Sequence, residues 1–191
     1  MELKSNLICK GKIWYDLNQI LVIDKQIFET FWQVFKVSLS IGILYDKQVQ
    51  DFEDYEPDEK VELPRQMFNR EGAQMDMFFQ SAILTSSCIG FSEKDRLYLA
   101  FSANLSDEEV TDEEREELKN GVSKEALEFN QALFLKEYAN YGSQKLYELL
   151  SDNDGEILSN FMDFFDDSYN GLTPELIEMS KVEPMEDDIL Q

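Results

Sequence analysis

The sequence contains no histidine. That absence removes the commonest general base, the commonest zinc ligand and every Ser-His or Cys-His arrangement. Cysteine is nearly absent: Cys9 and Cys88 stand far apart and match neither metal-ligand nor redox spacing. Glycine is scarce, with eight in 191 residues, and none builds a phosphate-cradling loop. Basic charge is short as well. The chain has 17 Lys and Arg against 40 Asp and Glu, a formal net charge of -23. Such a surface repels nucleic-acid phosphates, and the basic residues interleaved with aromatics that mark a nucleic-acid binder are missing. The longest uncharged stretch, residues 77–92, is shorter than the ~20 residues of a membrane span and carries several Ser and Thr. Residues 1–6 show no basic region leading into an apolar run. These absences predict a cytoplasmic protein with no membrane contact and no direct nucleic-acid contact.

Material for a core is abundant. Hydrophobic residues make up 43% of the chain, including 14 Phe, 8 Tyr and 2 Trp, which argues against wholesale disorder. The predicted fold class is all-α, or mainly α. It is a single compact bundle of about six or seven helices, with one or two short strands or an irregular arm over 1–23. The helical domain spans 24–180, and 181–191 form an acidic tail.

Asp24 is the expected N-cap of a helix running to about Leu44. Within it Ile27, Phe28, Phe31, Trp32, Phe35, Leu39 and Ile43 follow helical spacing, and Val34, Val37 and Ile41 widen the apolar face. A helix with so wide an apolar face belongs at the centre of the fold. Gly42 near its end marks either a close helix contact or termination. Residues 46–64 hold two prolines and many acids and read as an exposed loop, of a length that is usually either functional or disordered.

Further helices are expected over 72–88, with Met75, Phe78, Phe79, Ala82 and Ile83 at helical spacing, and after Ser92, an N-cap with Asp95 three positions on. Leu97, Tyr98, Phe101 and Leu105 would form the buried stripe of that second helix. Residues 107–117 hold eight acids in eleven positions, either a solvated first turn or an interaction surface. Ser123 can cap a helix through Tyr141 with Ala126, Phe129, Leu133 and Phe134 inward. Gly142 is expected to interrupt it, with a further helix carrying Leu146, Tyr147, Leu149 and Leu150. Beyond a turn at 152–155 come an amphipathic helix with Ile157, Leu158, Phe161, Phe164 and Phe165 and a short helix capped by Thr173 and Pro174.

Tests for chemistry are negative. If Gly155 is the sixth position of a calcium loop, Leu150 is the first and Phe161 the twelfth, where oxygen ligands are needed. The run starting at Asp166 puts Ile177 at the twelfth position and fails likewise. Carboxylates adjacent in one run do not converge as a metal-dependent nuclease or phosphatase requires. The aromatic series Phe28, Phe31, Trp32 and Phe35 has the spacing of core packing. We therefore assign no catalytic, metal or cofactor-binding residues.

Two segments carry a resemblance. One is Val34-Phe35-Lys36-Val37-Ser38-Leu39-Ser40-Ile41-Gly42-Ile43. The other is Lys136-Glu137-Tyr138-Ala139-Asn140-Tyr141-Gly142-Ser143-Gln144-Lys145-Leu146-Tyr147. The second resembles the Glu-Tyr-Ala-Asn-x-Gly-x-x-x-Leu pattern of small accessory proteins of bacterial DNA phosphorothioation (Dnd-associated) and related anti-phage defence clusters. The resemblance implies a non-catalytic component of a multi-protein defence system, with no catalytic residues to carry over. On physical grounds alone, Tyr138 and Ala139 would pack in the core while Asn140 and Gly142 would end the helix.

Two function classes remain. One is an accessory or regulatory subunit that docks through acidic surfaces on a larger, more basic ATPase or nuclease subunit. The other is a DNA-mimic inhibitor of a DNA-binding enzyme, which would need its acids spaced like duplex phosphates. The expected partner-binding residues are Asp51, Phe52, Glu53, Asp54, Tyr55 and Glu56 in the loop, and Asp107, Glu108, Glu109, Asp112, Glu113 and Glu114 in the acidic run.

Overall fold

A computed structural model describes residues 3–52, 56–103, 105 and 110–151. The chain divides into two compact units, Met1–Tyr147 and Glu148–Gln191. The turn at 152–155, the helices expected around Ile157 and Thr173, and the acidic tail all lie outside the described residues. Among those described, the fold is mainly α-helical, with one two-stranded sheet.

Strand β1 (Leu7–Lys10) pairs antiparallel with β2 (Lys60–Leu63), in a register that sets Leu7 opposite Leu63 and Cys9 opposite Val61. Opposed residues share a sheet face, so Cys9 and Leu63, both fully or almost fully buried, mark the inward side. The second strand comes from within the segment expected to be a loop. Period-2 alternation is faint in a four-residue strand, and its partner lies about fifty residues upstream.

The rest of the N-terminal arm is helical: α1 covers Lys12–Asn18 and runs into a π-helical segment, Gln19–Asp24. Gly11 makes the strand-to-helix turn at φ 105 and donates its N–H to Glu59. Its positive φ suits glycine, and a Cβ there would press on the Phe52 ring.

The central helix, α2, spans Phe31–Tyr45. Its start is not Asp24, as expected, but Thr30. The physical reason lies in the preceding segment: Lys25 N–H bonds five residues back to Ile20, and Ile27 and Phe28 N–H both return to Leu21. Gln26 takes a left-handed φ of 52. The chain therefore unwinds before the Gln33 side chain accepts from the Glu29 and Thr30 N–H groups and restarts it. Phe31, Trp32, Val34, Phe35, Leu39 and Ile41 are buried, as the spacing predicts. Trp14 and Trp32 pack their rings on Phe35 at 6.1 and 5.7 Å, and Phe68 meets Trp32 edge-on at 5.6 Å.

Helices α3 (Arg65–Arg70) and α4 (Gly72–Thr85) come next, with Met75, Phe79, Ala82 and Ile83 inward. Helix α5 (Glu93–Leu97) starts at the Ser92–Asp95 capping box that the sequence predicts, then passes into a second π-helical segment, Tyr98–Ser102. That widening, closed by Ala103 N–H to Tyr98, changes the period. Leu99 and Ala100 turn inward, while Leu97 and Phe101, expected to be buried, are 45% and 56% exposed.

Helix α6 (Asp112–Lys119) is capped by Thr111, and the four-residue α7 (Lys124–Leu127) by Ser123. The helix expected from Ser123 breaks after α7, leaving Leu133 exposed while Ala126 and Phe134 stay buried. Helix α8 (Gln131–Ser151) then runs unbroken through Gly142. Gly142 is not an interruption but a contact. A Cβ there would collide with the Ser38 carbonyl of α2, and one on Gly42 would collide with the Tyr138 carbonyl of α8. The two helices meet backbone to backbone, with Ser38, Ala139 and Ser143 buried beside the glycines. Packing there offsets the ~1 kcal/mol that an interior helical glycine costs.

Candidate functional site

The two segments singled out by resemblance are the two halves of the α2–α8 crossing. The polar residues of α8 there hold the chain that leaves α2. Asp46 ends α2 in a left-handed conformation, φ 47 and ψ 49. Its carboxylate accepts the Ser87 N–H and hydroxyl, both at 2.6 Å, and the Tyr138 hydroxyl at 2.7 Å. Tyr138 O–H also lies 2.6 Å from the Ser86 hydroxyl, and Cys88 Sγ is 3.1 Å from the Asp46 carbonyl. The C-terminal ends of α2 and α4 are thus stapled to the middle of α8.

A few residues on, the Val49 N–H donates to the Glu137 carbonyl at 3.0 Å, and Asn140 Nδ2 donates to the Val49 carbonyl at 3.1 Å. Asn140 Oδ1 in turn accepts from the Trp14 indole at 2.9 Å. Asp51 pairs with Lys136 Nζ at 2.7 Å, and Lys10 Nζ lies 4.0 Å away. The Lys136 side chain is 6% exposed and that of Asp51 is 34% exposed. Asn140, expected to end the helix, is instead a buried connector between α1, the 46–52 segment and α8.

The electrostatics are set by these contacts. Burial works against the Asp46 carboxylate, but the hydrogen bonds from Ser87 and Tyr138 outweigh it and hold the group below its ordinary value. Burial pushes Tyr138 and Cys88 up, with the Asp46 charge adding to both. Burial also raises Glu137, reinforced by nearby Asp51 and partly offset by Lys136. Cys9, fully buried, is pushed up to about 12 by desolvation. A carboxylate below its usual range is a poor base at neutral pH, and a phenol or thiol pushed upward is a poor nucleophile. The arrangement suits anchoring rather than proton transfer.

The expected partner-binding residues separate into groups. Asp51 is turned to Lys136, and Phe52 is half-buried with its ring against Gly11. Glu56 is exposed at the turn leading to β2. Glu53, Asp54, Tyr55, Asp107, Glu108 and Glu109 lie outside the described residues. Asp112, Glu113 and Glu114 form the exposed first turn of α6, where Glu114 accepts the Thr111 N–H at 2.8 Å and is held below its ordinary value by it. Acids there also complement the positive end of the helix dipole. Asp112, Glu113 and Glu117 make no ion pair among the described residues.

Residues expected to be buried, Leu97 and Phe101, instead line an apolar groove of about 430 Å³ beside α6. Leu97, Phe101 and Leu118 supply its walls, with Glu93 and Lys94 at its edge. A helical-period stripe predicts burial for Leu97 and Phe101, so only a break in that period could have marked them. Among the described residues no group of acids and cysteines could hold a metal ion, and no helix is long and apolar enough to cross a membrane. Compared with protein-family models, curated proteins and solved structures, the chain matches none of them.

Proposed function

We propose that this protein is a non-catalytic accessory subunit that docks, through its acidic surface, on a larger and more basic protein partner. The observation that carries the reading is the division among its acids. Asp46, Asp51 and Asp95 are engaged by internal donors, whereas Asp112, Glu113 and Glu117 of α6 are exposed and make no ion pair among the described residues. Uncompensated surface charge of one sign steers a partner of the other sign and accelerates encounter. The resemblance carried by residues 136–147 supports placing this subunit in a bacterial anti-phage defence complex, in the cytoplasm, with an ATPase or nuclease as the larger component. No sugar, nucleotide or metal chemistry is assigned to it.

The test is affinity purification of the tagged full chain from its native host at low salt. The expected result is a stoichiometric protein of net positive charge, released by high salt and lost when Asp112, Glu113 and Glu117 are changed together to Asn, Gln and Gln. Purification as a lone monomer overturns the reading. Capture of a DNA-binding enzyme that duplex DNA displaces replaces it with charge mimicry of DNA.

A further inference from the structure

The phase of the β1–β2 ladder decides which backbone groups of the sheet are left over. Gly11 N–H donates to the Glu59 carbonyl at 2.8 Å, one step beyond the Lys10–Lys60 pair. Hydrogen-bonded and non-hydrogen-bonded pairs alternate along an antiparallel ladder. Cys9 therefore exchanges its bonds with Val61, and Leu7 with Leu63, while the N–H and C=O groups of Lys60 and Glu62 point away from β1. No backbone partner for those groups exists among the described residues. Both residues are exposed. The sheet thus ends at β2 on an open edge, which stops at Pro64 for want of an N–H.

An unpaired edge templates the addition of a further strand, and charged side chains along it turn unrelated strands away. The outward-facing charges of β2 are Lys60 and Glu62, with Val61 between them. An antiparallel strand answers them when it sets an acid opposite Lys60 and a base opposite Glu62. A second copy of β2, related by a two-fold axis through Val61, does so. Lys60 of each copy then faces Glu62 of the other. The same register suits the backbone, because Lys60 and Glu62 are the residues whose N–H and C=O groups point outward. Each can exchange both bonds with its opposite.

The surrounding charge also favours a second copy at this place. The whole chain carries -23, yet residues 3–12 and 56–65, the sheet with its flanks, hold five basic and four acidic side chains. Repulsion from the remainder of each copy is screened beyond about 8 Å at physiological ionic strength. We infer that two copies of this protein associate edge to edge through β2, antiparallel, joining their two-stranded sheets into one of four strands. The contact is short, so the dimer is weak and forms as concentration rises. It is independent of the docking function proposed above.

Sedimentation velocity of the full chain over a concentration series tests this, with Lys60→Glu, Glu62→Lys and the double exchange alongside. Both positions are exposed, and circular dichroism checks that each variant keeps the wild-type spectrum. The wild type is expected to pass from monomer to dimer. Lys60→Glu sets Glu against Glu at both symmetric pairs, and Glu62→Lys sets Lys against Lys. Each alone should dimerise at least about tenfold more weakly. An equimolar mixture of the two single variants restores opposite charges at both pairs and should dimerise as the wild type does. The double exchange should do the same. A wild type that stays monomeric up to its solubility limit overturns the inference. So does a dimer that tolerates either single reversal, because its contact then lies on another surface. A loss that the mixture fails to recover overturns it too, since the charges would not face one another.

Discussion

Two stretches of this chain, residues 46–52 and 112–119, differ in what their acids meet. The segment 46–52 leaves α2 and is drawn down onto α8. Its Asp46 meets Ser87 and Tyr138, and its Asp51 meets Lys136. The stretch 112–119 forms α6, whose acids face water with no residue buried. The difference is not in the acids but in what reaches them. Donors on α8 and at the end of α4 reach the first stretch from distant parts of the chain, whereas in the second Glu114 accepts from its own cap, Thr111, and Glu116 pairs with Lys119 of the same helix. A carboxylate becomes structural where a fixed donor replaces its water, and remains available for a partner where none does.

The largest effect is expected from removing one end of the Asp51–Lys136 pair. Asp51→Ala leaves the nearly buried Lys136 ammonium without its closest counter-charge. It should cost roughly 2–3 kcal/mol, less than a fully buried pair because the Asp51 side is partly wet. Chemical denaturation reads it directly. Lys136→Met in addition should recover part of the loss, since an apolar side chain of similar length suits the site.

Asp46→Asn should have a smaller effect, about 1–2 kcal/mol at neutral pH, from weaker acceptance of the Ser87 and Tyr138 hydrogen bonds. Its pH dependence carries the sign. The folded carboxyl sits below its unfolded value of 3.8, so its contribution is present above that pH and lost as pH falls through the folded value. The gap between wild type and Asp46→Asn should therefore close in acid. A gap that persists in acid strong enough to protonate the folded carboxyl would show that the stabilisation is steric.

Glu137 provides the opposite sign. Burial and Asp51 raise it above its ordinary 4.5, so the folded state favours the protonated form and stability falls as pH rises through the folded value. Glu137→Gln should raise the melting temperature slightly at pH 7 and give no advantage below about pH 4. The Glu137 carbonyl that receives Val49 is backbone and survives the substitution. Smallest of all should be Glu113→Gln and Glu117→Gln, each within about 0.5 kcal/mol, because both side chains are exposed and make no ion pair among the described residues.

The features legible in the sequence were local. The Ser92–Asp95 cap, the Ser123 start and the inward face of α4 all depend on residues three or four apart. The bundle of helices and the burial of Phe31, Phe35 and Leu39 come from the same periodicity. The features that escaped it depended on distance or on a changed period. Asp51 reads as a solvated loop acid because Lys136 lies 85 positions away. Gly142 reads as a helix break because the Ser38 carbonyl that requires it belongs to another helix. Asp24 lies in one π-helical segment and Phe101 in another, where the widened turn departs from the 3.6-residue period on which both readings rested. That last failure coincides with the groove. The candidate site surfaced only once the fold showed which apolar residues remain uncovered.

The inner acids, on this view, hold the fold, and the outer acids hold a partner. Two full-length variants separate these roles: Asp51→Ala, and the combined Asp112→Asn, Glu113→Gln and Glu117→Gln. Each is measured for both melting temperature and capture of the host partner, well below either melting point. The expected result is crossed. Asp51→Ala melts several degrees lower and captures the partner as the wild type does, while the α6 variant melts with the wild type and loses capture. A folded Asp51→Ala that loses the partner, or an α6 variant that retains it at physiological salt, would contradict the division of labour between the two sets of acids.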